Sequence, residues 1–267
     1  MTPDRLAADA QAIFAAAVDR VRPARLFDAL DWQASVSLPL DQYRRVVVLA
    51  AGKASAAMVA ALHAQIGSRL DVGVAVVPDA YLADAPRTER VTLIAGGHPV
   101  PHAGSADAAE RALALAQAAT EDDLVLVLLS GGGSALWTAP ADGLTLPDLQ
   151  ATNRALLHGN VPIHAINTVR KHLSRIKGGR LAEAAAPAER FALVLSDVIG
   201  DDLSAIASGP TIPYPTTYAE ALAILNSLPH QQAIPAVVWR HLERGVAGQI
   251  ADTPKRASAS AQTLLIG

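Results

Sequence analysis

Five short, almost wholly apolar runs constrain the fold of this chain more than any other feature of its sequence. They occupy residues 46–50, 72–77, 91–94, 124–129 and 191–195. Strands that are apolar throughout, without alternation, are typical of a parallel sheet covered on both faces. Alanine- and leucine-rich stretches with helical spacing lie between them, at 4–21, 54–67, 104–119, 146–158, 168–185 and 217–228. The alternation predicts a three-layer α/β sandwich with a mostly parallel sheet.

The composition excludes several classes of function. The chain has no cysteine, which excludes disulfides, thiolate zinc sites and a cysteine nucleophile. Its formal net charge is −3 without a long block of either sign, so it offers no electrostatic footprint for nucleic acid. We find no signal peptide, and no apolar run reaches the roughly 20 residues that a bilayer span needs. We therefore expect a cytoplasmic protein with neither nucleic-acid nor membrane partners.

Ligands of such folds bind beyond the carboxyl ends of the strands, and the first candidate loop follows the first apolar run. It reads AGKAS and comprises residues 51–55. Gly52 allows a tight turn, while Lys53 provides a mobile positive charge beside free helix amides, which suits a phosphate. The loop is not a Walker A motif, because Ala54 stands where Ser or Thr is required. We favour phosphate binding by Gly52, Lys53 and Ser55 over a surface lysine on a plain turn.

A glycine-rich loop follows the most hydrophobic run. It consists of Ser130, Gly131, Gly132, Gly133 and Ser134. Three successive glycines expose backbone amides that can form a concave nest for phosphate oxygens. The loop fails as a dinucleotide fingerprint and as a nucleophile elbow, because leucine follows at position 136 where each motif requires glycine. We favour anion binding over a plain glycine turn.

A basic segment runs from Asn167 to Arg180. Arg170, Ser174 and Lys177 recur at three- and four-residue spacing, which predicts that they share one face of a helix. Lys171 lies on the adjacent face. Such a surface could clamp a carboxylate or a phosphate, with Arg170 binding in bidentate fashion. The spacing alone does not separate this function from a solvated basic face.

Acidic residues follow the last of the five runs. Asp197 is well placed to take a hydroxyl proton or to hold Mg²⁺ beside a nucleotide. We interpret Asp201 and Asp202 as mainly structural, with Asp202 capping a helix that begins at Leu203. His98 lies in a turn after another run, where a structural role is the more common one.

Six motifs in this order resemble the glycerate 2-kinase family, which has also been labelled hydroxypyruvate reductase. They are AGKAS (51–55), GGHPVP (96–101), SGGGSAL (130–136), NTVRKHLSRIKGGRLA (167–182), SDVIGDDLSAIASGPT (196–211) and PTT (215–217). The resemblance implies ATP-dependent, Mg²⁺-supported phosphorylation of D-glycerate at its 2-hydroxyl. It also implies a Rossmann-like first domain, a smaller second domain and an active site between the two. By the same resemblance Lys53 and Asp197 occupy the catalytic positions, and Asn167, Arg170, Lys171 and His98 are candidates for binding glycerate.

The chain departs from the family pattern at three positions and in its length. Ala165, Tyr214 and His102 stand where the family usually has acidic residues. We predict that residues 1–244 form the first domain. Residues 245–267 would be a linker and the start of the family's C-terminal MOFRL domain, opened by the apolar run 263–266. Family members continue beyond this point, so we expect the chain to fold but to turn over poorly.

The expected mechanism is phosphoryl transfer by positioning and electrostatics. The glycine-rich loop would cradle phosphates, Lys53 would neutralise developing charge, Asp197 would orient or deprotonate the glycerate hydroxyl, and Arg170 or Lys171 would hold the carboxylate. Two other functions stay open. One is NAD(P)H-dependent reduction of hydroxypyruvate, against which the failed dinucleotide fingerprint counts. The other is a non-catalytic module that binds phosphorylated sugars or nucleotides. The sequence also leaves open whether the protein is a homodimer.

Overall fold

A parallel sheet forms the centre of the molecule. The computed structural model describes residues 3–30, 39–257 and 260–267. The strands of these residues form one six-stranded parallel sheet in the order β3-β2-β1-β4-β5-β6. All five predicted strands are present, and the predicted α/β fold class is confirmed. The strands are β1 (Arg45–Ala51), β2 (Val72–Pro78), β3 (Val91–Gly96), β4 (Asp123–Leu129), β5 (Glu189–Val194) and β6 (Ala261–Leu265).

The α-helices of the described residues cover both faces of this sheet or pack beside it. They are α1 (Pro3–Arg20), α2 (Pro23–Asp28), α3 (Ser55–Ile66), α4 (Ala103–Gln117), α5 (Gly133–Leu136), α6 (Leu146–His158), α7 (Ile163–His172), α8 (Arg180–Ala184), α9 (Tyr218–Asn226) and α10 (Ala236–Val246). Helix α6 begins at Leu146, as the sequence predicts, because Thr145 caps it and forms a capping box with Asp148.

The apolar core has three parts. One face of the sheet packs against α2 and α3, where Met58 and Leu62 of α3 belong to the same buried cluster as Leu126 of β4. The other face packs against α4, α5 and α8. Every residue of β4 is buried, as expected for a strand covered on both faces. Helices α6, α7, α9 and α10 bury a third cluster among themselves, so they form a helical unit beside the sheet.

The predicted helix over 168–185 is wrong. The chain leaves helical geometry after α7 and returns to it only at α8. Gly178 and Gly179 lie between the two helices with φ of 60° and 86°, a left-handed conformation that a right-handed helix cannot continue through. Of the three residues that we predicted to share one face of this helix, only Arg170 lies in α7.

The last apolar run joins the same sheet as the other strands. Thr263 in β6 lies opposite Ala192 in β5, in parallel register. The run that we expected to open a second domain therefore provides an edge strand here. The division of the chain at residue 244 stays a prediction.

Candidate active site

The strand order creates a crevice between β1 and β4. The chain proceeds from β1 to β2 on one side and from β4 to β5 on the other, and such a switch point opens the carboxyl end of the sheet to ligands. The AGKAS loop follows β1 and the glycine-rich loop follows β4, so the two loops meet. The backbone N–H of Lys53 donates to Gly131 O at 2.8 Å, and that of Ala54 donates to Ser130 Oγ at 3.0 Å.

Three candidate side chains lie close to Gly131 and Gly132 of the glycine-rich loop. A Cβ atom at position 131 would overlap the carboxylate of Asp197. A Cβ at position 132 would lie 3.1 Å from His98 Nε2 and 3.5 Å from Lys53 Cγ. Lys53, His98 and Asp197 therefore surround the glycine-rich loop, and glycine provides the room for their approach.

The charges of Lys53 and Asp197 act on the histidine between them. Partial desolvation lowers the pKa of His98 below its ordinary value, the positive charge of Lys53 lowers it further, and the negative charge of Asp197 opposes both effects. All three side chains are exposed, so an ammonium and a carboxylate face an open crevice. This arrangement can stabilise a bound anion with Lys53 while Asp197 accepts a proton.

The serines of the two loops fix the crevice from within. Ser55 is buried and its hydroxyl donates to Val76 O at 2.7 Å, which ties α3 to β2. Ser130 is also buried and accepts from the neighbouring loop, as described above. Ser134 Oγ lies 2.8 Å from Ser208 Oγ. The serine hydroxyls thus hold the two loops in place around the glycine amides.

A cavity of about 220 Å³ opens beside the glycine-rich loop. His98, Gly132 and Ser134 line one side of it, and Arg170 and Lys177 line the other. Arg170 is oriented by a hydrogen bond from its Nε to Asn153 Oδ1 at 2.8 Å. A cationic wall facing a glycine loop suits a small carboxylate or phosphate.

Lys177 has a role that the sequence pattern did not reveal. Its Nζ donates to the carbonyls of Ser134 at 2.7 Å and Trp137 at 2.6 Å, both in the turn that follows β4. Burial, reinforced by repulsion from Arg170 and Lys171, lowers its pKa to about 7. This lysine therefore ties the basic segment to the glycine-rich loop. The spacing of charges along the chain carries no signal for a contact between segments so far apart.

Two predicted substrate-binding residues do not line this cavity. Lys171 is buried with its Nζ 3.2 Å from the centroid of the Tyr214 ring, a cation–π contact. Burial lowers its pKa to about 7, although Asp202 acts in the opposite direction. Asn167 is buried in α7. Tyr214, one of the departures from the family pattern, thus supports Lys171 with its ring where the family has a carboxylate.

His102 and Ala165 are the other two departures from the family pattern, and the structure explains the first but not the second. His102 caps α4, because its Nδ1 accepts from Gly104 N at 3.0 Å while its Nε2 lies 2.7 Å from Asp79 Oδ2. The histidine thus accepts the hydrogen bond that a short acidic N-cap residue would accept. Ala165 is half-buried on α7, and nothing in the structure explains why it replaces a glutamate.

The described residues contain no group of three or more His, Asp or Glu side chains that could hold a metal ion alone. Mg²⁺ commonly binds through one or two carboxylates together with substrate phosphates, and the exposed Asp197 beside the glycine-rich loop fits that pattern. Asp202 is already engaged, since its Oδ1 accepts from Ser204 N at 2.9 Å in a turn. No α-helix begins at Leu203, so the predicted helix cap there is wrong.

Fold and site together define an α/β protein with a crevice at the switch point of its sheet, where Lys53, His98 and Asp197 surround a glycine-rich loop. A family model described as a domain of unknown function (DUF4147) matches residues 9–243. The chain is 41% identical to glycerate 2-kinase of Pyrococcus horikoshii over 224 residues, which cover 83% of this chain and 49% of that protein. It is 42% identical to D-glycerate 2-kinase of Thermotoga maritima over 190 residues, which cover 71% of this chain and 45% of that protein.

A solved structure agrees with these matches. The crystal structure of glycerate kinase from Thermotoga maritima aligns with a TM-score of 0.82 at 34% identity, covering 99% of this chain and 59% of that one. The chain belongs to the glycerate 2-kinase family and carries its DUF4147 domain. It spans about half the length of the curated relatives it matches. Among the described residues no helix is long and apolar enough to cross a membrane.

Proposed function

We propose that this chain supplies the phosphate-handling half of an ATP-dependent kinase that phosphorylates D-glycerate at its 2-hydroxyl. The observation that carries this proposal is the convergence of Lys53 and Asp197 on the glycine-rich loop, where β1 and β4 end. The relatives named glycerate kinase support the choice of reaction and substrate. A cytoplasmic location is part of the same proposal.

Each residue of the crevice has one part in the transfer. The amides of the glycine-rich loop hold phosphate oxygens, and the Lys53 ammonium neutralises negative charge that develops on the transferred group. As the 2-hydroxyl oxygen bonds to the γ-phosphorus and the bond to ADP breaks, Asp197 accepts the hydroxyl proton. Mg²⁺ bound with the ATP phosphates would supply additional positive charge, and holding it is the alternative role of the Asp197 carboxylate, in place of accepting the proton.

Arg170 is the better candidate for the glycerate carboxylate. It lines the cavity beside the glycine-rich loop, whereas Lys171 is engaged with the ring of Tyr214. A guanidinium oriented by Asn153 can offer two parallel N–H groups to a carboxylate. His98, on the opposite wall, would border the same substrate.

The test measures two reactions side by side in a full-length form of the protein. We expect ADP release that requires glycerate, ATP and Mg²⁺ together, and no oxidation of NADH in the presence of hydroxypyruvate. Reproducible NADH oxidation would replace the kinase with the reductase. Saturable nucleotide binding without either reaction would instead identify a non-catalytic binding module.

A further inference from the structure

A second cavity, of about 260 Å³, lies next to the first. Ser174 lines both cavities, and their other lining residues differ. The second cavity is lined by three arginines and a histidine: Arg175, Arg180, Arg244 and His241. Two of these arginines belong to the basic segment, and the proposed transfer does not use them.

The positive charge of this cavity is only partly neutralised. Arg175 forms ion pairs with Glu110 and with Asp142, the latter at 3.7 Å. Asp142 is the acidic residue of the lining, and its side chain is 96% exposed. Within the described parts of the chain, Arg180 and Arg244 form no ion pair.

Two buried polar atoms of the cavity have no hydrogen-bond partner within the described residues: Arg180 Nε and His241 Nδ1. Arg180 Nη2 donates to Tyr218 OH at 3.2 Å and to Ala251 O at 3.1 Å, so the guanidinium is fixed in place. His241 is 5% exposed, and its Nε2 donates to the carbonyl of His172 at 3.0 Å. Buried polar atoms are rarely left unpaired, and the unpaired N–H of Arg180 beside a second arginine without an ion pair points to an anionic ligand.

We propose that this cavity is a second anion site, which binds a phosphate-class dianion, either free phosphate or the phosphoryl group of a small metabolite. Arg180 and Arg244 would supply the charge and the directed N–H donors. His241 would add a donor from Nδ1 once its ring is protonated. The proposal does not depend on the kinase activity, because the site uses none of the residues assigned to transfer.

His241 provides a local reporter of binding. Burial lowers its pKa, and the charges of Arg180 and Arg244 lower it further, while the hydrogen bond to His172 and the charge of Asp142 act in the opposite direction. The ring of Tyr218 packs edge-on against it at 5.8 Å. A dianion bound between the arginines would favour the imidazolium, so binding should raise the pKa of His241.

The experiment follows the imidazole NMR signal of His241 in the whole chain during titration with inorganic phosphate and, separately, with 3-phosphoglycerate. The variant His241→Gln assigns the signal. We expect a saturable change and a raised pKa with at least one of the two probes. Arg244→Gln should weaken binding at least ~10-fold. Arg240→Gln, an equal charge change at an exposed position of α10 outside the cavity, should leave binding unchanged.

The outcomes distinguish free phosphate from a phosphorylated metabolite, and binding in this cavity from binding in the crevice that contains Lys53. Tighter binding of 3-phosphoglycerate would assign the site to a metabolite, whereas equal or tighter binding of phosphate would assign it to the free anion. An absent His241 response, or equal effects of Arg244→Gln and Arg240→Gln, would overturn the proposal. Lys53→Ala should leave the response intact, so a failure of the kinase proposal would not be mistaken for a failure of this one.

Discussion

Lys53 has an exposed side chain, so its removal should affect chemistry far more than stability. In a full-length form, we expect Lys53→Ala to lower kcat at least ~100-fold, because a contact to charge that develops in the transition state is worth roughly 3 kcal/mol. The melting temperature should change little. Arg87→Ala removes an exposed cation outside both cavities and is the matched control. Turnover at the original rate in folded Lys53→Ala would remove this lysine from the mechanism.

Asp197 has two candidate roles, and one substitution separates them. Asparagine keeps the shape of the side chain but cannot accept the hydroxyl proton. We expect Asp197→Asn to bind ATP with nearly unchanged affinity by calorimetry and to lose glycerate-dependent ADP release. If affinity for Mg²⁺-ATP and rate fall together, Asp197 is a metal ligand or a structural residue and not the base.

A substitution at Gly131 tests whether the position of the Asp197 carboxylate affects the rate. The atoms nearest to an added Cβ belong to the exposed Asp197 side chain, which can move aside, so Gly131→Ala should fold normally while displacing the carboxylate. We expect kcat to fall as it does in Asp197→Asn, with a melting temperature close to that of the original protein.

Gly52→Ala is the contrasting case. Its φ is 135°, and its Cβ would lie 2.6 Å from the backbone oxygen of Ser130, so it should destabilise the fold by about 1–3 kcal/mol. Thermal melting of Gly52→Ala and Gly131→Ala checks this difference in stability. A larger loss of stability in Gly131→Ala would contradict it.

Among the elements of secondary structure, the strands were predictable and the basic segment was not. An apolar run of β-branched residues is a local signal, and its carboxyl end locates a ligand site without any knowledge of the rest of the chain. The spacing of Arg170 and Lys177 also resembles a local helical signal, yet α7 ends at His172, five residues before Lys177, and Ser174 forms a β-bridge with Pro140 instead. The contact of Lys171 with Tyr214 depends on how distant segments pack, which no local pattern encodes.

The buried lysines of the basic segment should make stability depend on pH. Lys171 and Lys177 have pKa values of about 7 in the folded protein, against 10.5 for an unperturbed lysine. Between these values the unfolded chain binds more protons, so the free energy of unfolding should rise as the pH increases from 7 to 9. The contribution is lost as the pH falls toward 7, and its slope is at most ~1.4 kcal/mol per pH unit for each lysine.

Urea unfolding at pH 7, 8 and 9 measures this dependence. Lys177→Met should reduce the slope, and Lys255→Met, at a partly exposed lysine, should preserve it. A free energy of unfolding that stays constant from pH 7 to 9 in the original protein would show that these ammonium groups are solvated or paired in a way that removes the burial effect.

For the molecule as a whole, the sheet is covered on both faces while the crevice at its end remains open. Lys53, His98 and Asp197 are exposed there, and charges act weakly on a substrate that water still surrounds. About half of each curated relative lies outside the segment that this chain matches, and closure of a second domain is a common way to exclude water. We therefore expect the 267-residue chain to fold and to bind phosphate or nucleotide weakly, but to transfer little.

The measurement compares glycerate-dependent ADP release from this chain with release from an extended version, a fusion that adds the part of Thermotoga maritima D-glycerate 2-kinase lying outside the match. The extended version should have much the higher specific activity, and Lys53→Ala in that version should abolish the gain, because the added residues would act through the crevice and not replace it. Thermal melting of the 267-residue chain confirms that any loss of activity is not a loss of folding. Equal specific activity in the two forms would show that the crevice on this sheet suffices for transfer, and that water exclusion by a further domain is not what limits the rate.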